Sequence, residues 1–468
     1  MNYTHSNDII PGRPVLKIVL SFILFIFLCA VFGIESNAFD SFISVSLCAL
    51  VSLLLLGYWF RFFFGQKILF YISAFLIIKL LIGTIHWLWL VHPNYFDQPF
   101  NFIFNWEYVW THWSSDRIAT YRLENGYFSD VIYDFSVALD FNKGFVIFVI
   151  ISELYYWGGS YALNISVINT LFTFYTAFIV GIIAFHYYKE KSYARLAFTL
   201  VVFQGMTLIP STMMRDVIGQ GLIALAVLLT YQCRKSVVKS LLILPITCLF
   251  FFAQRLLYVV IPLLVFGYQL VTKESKFKWH LRFLIIPIAF LLVPQILSLF
   301  EFSENVDHFT GGSESKYSFV KNPLFFFTLP LQILKGLIGV FPWYQFFEAY
   351  DDLNGKVYYP MEYIQSIMNI VVLYLMWILV YLKKFKFSEI EFSGLILALY
   401  GFMSGDLHTG YISIGFIFFL PNIVSFTRRK ILYTFLTVLL VFIVANLLYY
   451  TFGLDGSNPT EFFKYKNF

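Results

Sequence analysis

The chain has 468 residues, of which 59% are hydrophobic and 13% charged, a composition that excludes an ordinary soluble globular protein. Its net charge is +5, but the basic residues are scattered among loops and form no patch, so no nucleic-acid partner is expected. The cysteines lie in or beside apolar runs without ligand-like spacing, which argues against a disulfide framework and a zinc site. They are Cys29, Cys48, Cys233 and Cys248.

Apolar runs of roughly 17 to 25 residues recur along the chain, and each is long enough to cross ~30 Å of hydrocarbon as a helix. The alternating pattern of an outer-membrane barrel is not seen. The predicted class is an all-α polytopic membrane protein with about 13 transmembrane helices, forming a single integral membrane domain over 1–468. The crossings are expected near 15–34, 41–60, 68–91, 161–187, 194–211, 215–232, 236–254, 256–272, 282–300, 362–382, 392–405, 410–427 and 431–452.

Cationic clusters separate many of these runs, for example Lys189 to Arg195, Arg234 to Lys239 and Arg428 to Lys430. By the positive-inside rule they face the cytoplasm, which places the N-terminus inside and the C-terminus outside. The first run has no small-residue cleavage site and is interpreted as a retained helix. Two apolar stretches, 144–158 and 323–342, must not cross, or the later basic clusters would change sides. They are predicted to lie at the outer interface.

This topology predicts an outer loop with juxtamembrane helices over 92–160. Trp106, Trp110 and Trp113 in this loop share one helical face. The face is either an interfacial aromatic belt or a platform on which sugars stack, and the sequence leaves both interpretations open.

A second outer loop, with an interfacial helix, is predicted over 301–361. Its first part, 301–322, is polar and contains a Gly-Gly pair, which favours a mobile loop or lid. Its last part contains Asn354-Gly355, which predicts a turn.

The stretch PSTMMRDVIGQG places Arg215 and Asp216 at the outer end of an apolar run. Asp216 in a first helical turn complements the macrodipole, whereas Arg215 at the same position is unfavourable unless an anion lies nearby. A phosphate or diphosphate supplies that anion, and a guanidinium fork matches its oxygens. Arg255 also falls at an outer boundary, where it either joins such a site or extends to lipid headgroups.

The order of these elements resembles a known family. An Asp-x-x-x-x-Tyr element from Asp116 to Tyr121 is followed by an interfacial helix ending in Trp157-Gly-Gly-Ser160, a crossing with Asn169, an Ala-led helix ending at Pro210, and Arg215-Asp216 at the next helix start. This order is similar to glycosyltransferases of the GT-C superfamily, and within them to Wzy-type O-antigen and oligosaccharide repeat-unit polymerases. The similarity is best over roughly 92–260. A later element, LQILKGLIGVFPW, ends at Trp343 and is also similar.

The resemblance implies transfer of a polyprenyl-(di)phosphate-linked glycan to a sugar hydroxyl at the outer face of the bacterial cytoplasmic (inner) membrane. It implies Asp116 as general base, with Arg215 and Arg255 stabilising the phosphate leaving group and Asp216 orienting Arg215. Competitors for the base are Glu107, Glu124 and Asp130. Residues expected to bind substrate are Arg117, Tyr121, Arg122, Glu124, Trp113, Trp343 and His408. His408 is either a second acid or base or a turn residue.

The implied partners are the polyprenyl-linked glycan donor and acceptor, the lipid bilayer, a chain-length regulator and a flippase. No cofactor is required by the pattern, and a divalent metal remains open. The alternative function is a lipid-linked glycan flippase or another polytopic transporter, because such proteins place charge near the midplane on broken helices. Lys79 is the clearest basic residue deep inside a run, whereas most other ionisable residues gather at the predicted outer face.

The orientation is testable by cysteine labelling in intact cells. Ser313→Cys, in the second outer loop, should react with a membrane-impermeant maleimide, whereas Ser275→Cys, within a basic cluster, should react only after the cells are opened. The reverse labelling pattern would show that the predicted orientation is inverted.

Overall fold

The computed structural model describes residues 10–33, 37–88, 106–127, 145–208, 215–254, 256–272, 353–403 and 410–451. These residues are almost entirely helical and contain no strand. The helices are α1 (Pro14–Phe32), α2 (Ala38–Trp59), α3 (Arg61–Phe64), α4 (Lys67–His86), α5 (Trp106–Asn125), α6 (Phe145–Gly158), α7 (Asn164–Tyr188), α8 (Lys191–Val202), α9 (Gly205–Leu208), α10 (Arg215–Cys233), α11 (Val237–Gln254), α12 (Val260–Thr272), α13 (Leu353–Tyr381), α14 (Glu389–Met403), α15 (Gly410–Phe416), α16 (Leu420–Ile423) and α17 (Arg428–Thr451). Short 3-10 turns occupy Leu256–Val259 and Ile417–Phe419.

Seven helices in these ranges are long and apolar enough to cross a membrane, which confirms the all-α membrane class. They correspond to the predicted crossings 15–34, 41–60, 68–91, 161–187, 215–232, 236–254 and 362–382. Two further predicted crossings, 256–272 and 392–405, contain the shorter helices α12 and α14, and 431–452 coincides with α17. The predicted crossing at 282–300, the interfacial stretch 323–342 and the loop 301–322 lie outside the described residues.

Helix α7 is the centre of the bundle. Its residues are all buried from Asn164 to His186, and it contacts α2, α4, α6, α8, α10 and α16. Other helices expose large apolar side chains: Phe27 on α1 is 62% exposed and Leu242 on α11 is 71% exposed. Apolar surface of this kind is what a helix presents to lipid, because the acyl chains are as apolar as the side chains.

Connections rich in Lys and Arg meet at one end of the bundle. The guanidinium of Arg195, at the start of α8, donates to the carbonyl oxygen of Phe64 at 2.7 Å. The ammonium of Lys386, after α13, donates to the carbonyl oxygen of Tyr187 at the end of α7. We name this region the basic end. The grouping agrees with the prediction that these connections share one side of the membrane.

A buried carboxylate joins three connections at the basic end. Ser388 and Glu391 form a capping box at the start of α14, in which the Ser388 N–H donates to Glu391 Oε2 at 2.8 Å. The same carboxylate accepts the hydroxyl of Tyr187 at 2.7 Å and the amide of Asn422 at 2.8 Å. Because Tyr187 lies in the last turn of α7 and Asn422 lies in α16, one fully buried side chain ties together α7, α14 and α16.

The opposite ends of the same helices meet around Gly158, and we name this region the Gly158 end. Ser41, in the first turn of α2, donates to the carbonyl oxygen of Gly158 at 2.6 Å. The side-chain amide of Asn164, at the start of α7, donates to the Ser41 hydroxyl oxygen at 3.0 Å. Helix α6 has 14 residues and is ~21 Å long, shorter than the hydrocarbon layer.

The predicted crossing 194–211, and with it the Ala-led helix expected to end at Pro210, is not one helix. Helix α8 ends at Val202, and the chain turns before the short helix α9. The hydroxyl of Thr207 lies 2.9 Å from the carbonyl oxygen of Val201 and 3.1 Å from that of Gln204. A side chain therefore bonds to backbone oxygens that a continuous helix would have paired internally, which is the condition for a break at membrane depth.

The predicted crossing 410–427 contains a 3-10 turn at Ile417–Phe419 between α15 and α16, and the residues on either side of this turn keep right-handed helical dihedral angles. Pro421 lies in the first turn of α16, where its missing N–H costs no helical hydrogen bond. The turn expected at Asn354-Gly355 is wrong, because both residues lie inside α13. The helix of the following apolar run extends back through them, so tertiary context overrides local turn propensity.

The crossing of α7 over α3 and α8 depends on a glycine. A Cβ added at Gly181 would lie 2.5 Å from the Phe64 ring and 2.8 Å from the carbonyl oxygen of Ala194. Gly181→Ala should therefore destabilise the protein by about 1–3 kcal/mol, measured as a lower thermal midpoint of the purified protein in detergent. Gly267→Ala is the control, because nothing lies within 4 Å of its added Cβ, and it should not lower the midpoint. Equal midpoints for the two variants would contradict close packing at Gly181.

Candidate functional site

Four side chains meet where α5 packs on α6 at the Gly158 end. Ser160, two residues after α6, donates its hydroxyl to Asp116 Oδ1. His112 lies one turn before Asp116 on α5, and its Nδ1 is 2.7 Å from the Tyr155 hydroxyl oxygen. We name His112, Asp116, Tyr155 and Ser160 the His112–Asp116 cluster.

Burial and one carboxylate set the charge of this cluster. Burial lowers the pKa of His112 below its usual value, and the negative charge of Asp116 opposes that shift. Burial and Asp116 both raise the pKa of Tyr155. At neutral pH the cluster therefore contains a neutral imidazole, a protonated phenol and a hydroxyl on the Asp116 carboxylate. A carboxylate and a neutral imidazole are both able to accept a proton.

A second set of contacts fixes α5 on α6. Arg122 forms an ion pair with Glu153, and both side chains are largely buried. Tyr127 donates its hydroxyl to Glu153 Oε2 at 2.9 Å, and the Arg122 guanidinium carbon lies 5.3 Å from the Tyr127 ring centroid. Because an ion pair and a cation-π contact share one guanidinium, Arg122 is held in place beside the His112–Asp116 cluster.

The start of α10 contributes a buried acid at the same end of the bundle. Asp216 is 6% exposed and accepts a hydrogen bond from the side-chain amide of Gln254, the last residue of α11. The other end of α10 lies at the basic end, since the rings of Tyr231 and His186 are 5.8 Å apart. Helix α6 contacts both α10 and α11, so one helix connects the His112–Asp116 cluster to the Asp216–Gln254 pair.

The predicted site residues divide into three groups. On α5, Arg117 and Glu124 are exposed and Tyr121 is half-buried. Arg215 begins α10 and Trp113 lies within α5, as predicted, but their side chains are outside the described part of the chain, as is that of Glu107. Arg255, Trp343, His408 and Asp130 lie outside the described residues altogether.

Four polar residues of this region were not singled out from the sequence. They are His112, Glu153, Tyr155 and Gln254. His112 carries a sequence signal, because it precedes Asp116 by four residues and so shares its helix face. The others contact their partners across 31 to 43 residues, and no local pattern reveals such pairs.

Among the described residues, no group of three or more His, Cys, Asp and Glu side chains is placed to hold a metal ion. All four cysteines are free, in agreement with the absence of a predicted disulfide framework. Comparison with known proteins gives no match to a family model, to a curated protein or to a solved structure.

The buried imidazole predicts a pH dependence of the α5–α6 contact. A His pKa that folding lowers stabilises the folded state above the unfolded pKa, and this stabilisation is lost as the pH falls through the folded pKa. The thermal midpoint of the wild type, relative to that of His112→Gln, should therefore fall between pH 7.5 and pH 5.

Tyr155→Phe is the control for that measurement. It removes a neutral hydrogen bond worth about 0.5–1.5 kcal/mol and should lower the midpoint at each pH while keeping the wild-type slope. An identical slope in the wild type and His112→Gln would contradict a titrating His112.

Proposed function

We propose that the chain is a membrane glycosyltransferase that extends a glycan from a polyprenyl-(di)phosphate donor, as an oligosaccharide repeat-unit polymerase does. The observation that carries the proposal is the position of Asp116. This acid lies beside a buried neutral imidazole, accepts a hydroxyl from Ser160, and belongs to the same end of the bundle as the α10 helix start.

The hydrogen bond from Ser160 to Asp116 has the geometry that a sugar hydroxyl would adopt on a general base. An acceptor sugar approaches a general base as a hydroxyl that donates to a carboxylate oxygen, and Ser160 makes a bond of this type to Asp116. In the proposed step the carboxylate takes the hydroxyl proton, the sugar oxygen forms a bond to the anomeric carbon of the donor, and the bond from that carbon to the phosphate oxygen breaks. The phosphate leaves with the bonding electrons.

The departing phosphate needs positive charge. Arg215 begins α10, and a helix N-terminus with a guanidinium favours phosphate oxygens through its N–H groups and its dipole. In the proposal Arg255 adds a second guanidinium. Asp216 orients Arg215 in the proposal, and it also accepts a hydrogen bond from Gln254 that joins α10 to α11.

The proposal includes the location and partners that the residue order implies. The protein is a multi-pass component of a bacterial cytoplasmic membrane with its site facing outside. The lipid-linked donor and acceptor reach it from the bilayer, and a chain-length regulator and a flippase act with it.

A flippase is the second candidate, and the helix break after Val202 favours it. Transporters build midplane sites from discontinuous helices, and this break contains the polar residues Gln204 and Thr207. The His112–Asp116 cluster favours transfer instead, because a flippase breaks no covalent bond and needs no base. Release of polyprenyl diphosphate distinguishes the two functions.

The test is incubation of the purified protein with a lipid-linked oligosaccharide, followed by analysis for longer glycans and free polyprenyl diphosphate. Asp116→Asn should abolish both products, because an amide does not accept the proton, while leaving the thermal midpoint near that of the wild type. Asp40→Asn is the matched control, because Asp40 is an exposed acid in the first turn of α2 at the same end of the bundle, and it should retain turnover. Activity in Asp116→Asn equal to that of the wild type would show that another acid is the general base. If the wild type releases no polyprenyl diphosphate and forms no longer glycan, the flippase function is favoured.

A further inference from the structure

Lys79 is a cation buried deep inside a crossing. It lies ~18 Å along α4 from Lys67, which begins that helix at the basic end, and its side chain is 0% exposed. An ionisable side chain at membrane depth is costly and normally faces a cavity or a partner of opposite charge.

Lys79 forms its hydrogen bond with a backbone oxygen. Its ammonium donates to the carbonyl oxygen of Thr207 in α9. No carboxylate among the described residues forms an ion pair with it, since the ion pair found there joins Arg122 and Glu153. An ammonium has three N–H donors, and one carbonyl satisfies one of them without balancing the charge.

Buried amides continue the polar environment from Thr207. The side-chain amide of Gln220, on α10, donates to Gln204 Oε1 at 3.2 Å, and that of Gln204 lies 3.3 Å from the carbonyl oxygen of Ser413 in α15. Gln220 is 0% exposed, and its Oε1 has no donor in the described part of the chain. We name Lys79, Gln204, Thr207 and Gln220 the Lys79 site.

The need to satisfy backbone oxygens at the break between α8 and α9 does not explain why residue 79 is charged. The Thr207 hydroxyl bonds to a backbone oxygen at the break between α8 and α9, and the Gln204 amide reaches the Ser413 carbonyl oxygen in α15, and both are neutral groups. A neutral donor at position 79 would serve the Thr207 carbonyl equally well, without the cost of burying an ion. The cation therefore exceeds what the fold requires, whereas an anionic ligand would balance it.

We propose that the Lys79 site binds the phosphate group of a polyprenyl-linked ligand. The ammonium contacts phosphate oxygens, and Gln220 Oε1 accepts a hydroxyl of the attached sugar. A glycosyl phosphate supplies both the anion and the hydroxyl donor that the site lacks. The identity of the lipid carrier rests on the proposed function. The phosphate group is inferred independently, from the buried ammonium of Lys79.

Binding to purified protein in detergent tests the inference without any turnover. The probes are polyprenyl monophosphate, uncharged polyprenol and inorganic diphosphate, which separate a lipid-borne phosphate from a free one. The variants are Lys79→Met, which removes the charge and the donor, and Lys79→Gln, which removes the charge but keeps a donor for the Thr207 carbonyl. Lys67→Met, at the exposed start of the same helix, is the control.

Wild type and Lys67→Met should bind polyprenyl monophosphate equally and should bind polyprenol at least tenfold more weakly. Both Lys79 variants should lose at least tenfold in affinity for the phosphate. Without ligand, the thermal midpoint of Lys79→Gln should equal or exceed that of the wild type, since this variant removes an unbalanced buried charge and keeps a donor for the Thr207 carbonyl. If Lys79→Met does not fold, the Lys79→Gln measurement decides.

Unchanged phosphate affinity in Lys79→Gln, or a wild type that binds polyprenol as well as its phosphate, would overturn the inference. Tighter binding of inorganic diphosphate than of polyprenyl monophosphate would show that the phosphate bound at this site is not attached to a lipid. Failure of glycan elongation together with Lys79-dependent phosphate binding would reject glycosyl transfer and support this site. Glycan elongation by the wild type, together with a phosphate affinity that is the same in the Lys79 variants, would support glycosyl transfer and reject this site.

Discussion

Within hydrocarbon, each backbone oxygen or N–H that a helix break releases must find a partner inside the protein, because no water is present to supply one. The end of α8 meets this constraint with the Thr207 hydroxyl, whose distances to the carbonyl oxygens of Val201 and Gln204 are 2.9 and 3.1 Å. The Gln204 amide then reaches the carbonyl oxygen of Ser413 in α15 at 3.3 Å. The break after Val202 is therefore joined to α15, and polar groups concentrate where the two meet.

The rest of the bundle is organised so that these polar groups stay away from lipid. Helix α7 is enclosed along nearly its whole length, and the interior that surrounds it contains hydroxyl and amide side chains as well as large aromatic ones. Helices α1 and α11 turn apolar faces outward instead. Since side-chain contact with lipid gives no hydrophobic gain over contact with another helix, close packing and hydrogen bonds fix the helix positions, as at Gly181 and at Glu391.

Hydropathy and charge predicted the seven long crossings, the short α6 and the α10 start at Arg215, because these features depend on local composition. The same information missed the break after Val202 and the 3-10 turn after Phe416. Hydropathy measures how apolar a segment is, and a few hydroxyl and amide groups inside an apolar run change it little while changing the backbone. The pairing of His112 with Tyr155 joins residues 43 positions apart, and it arises only when α5 packs on α6.

The two polar regions lie at different depths, and that separation bears on mechanism. Proton transfer from a sugar hydroxyl needs access to aqueous acceptors, which suits the His112–Asp116 cluster at the Gly158 end. A phosphate attached to a long apolar chain is held best where the chain remains in lipid and a cation is already dehydrated, since charge interactions strengthen as the surroundings become less polar. The glycan of a lipid-linked acceptor held there would then extend from the Lys79 site toward Asp116 along α10, whose first turn contains Asp216 and whose second contains Gln220, while the donor phosphate lies at the start of α10. A transfer enzyme needs both regions, whereas a flippase needs the deeper one alone, so the carboxylate on α5 is the residue on which the choice between the two functions depends.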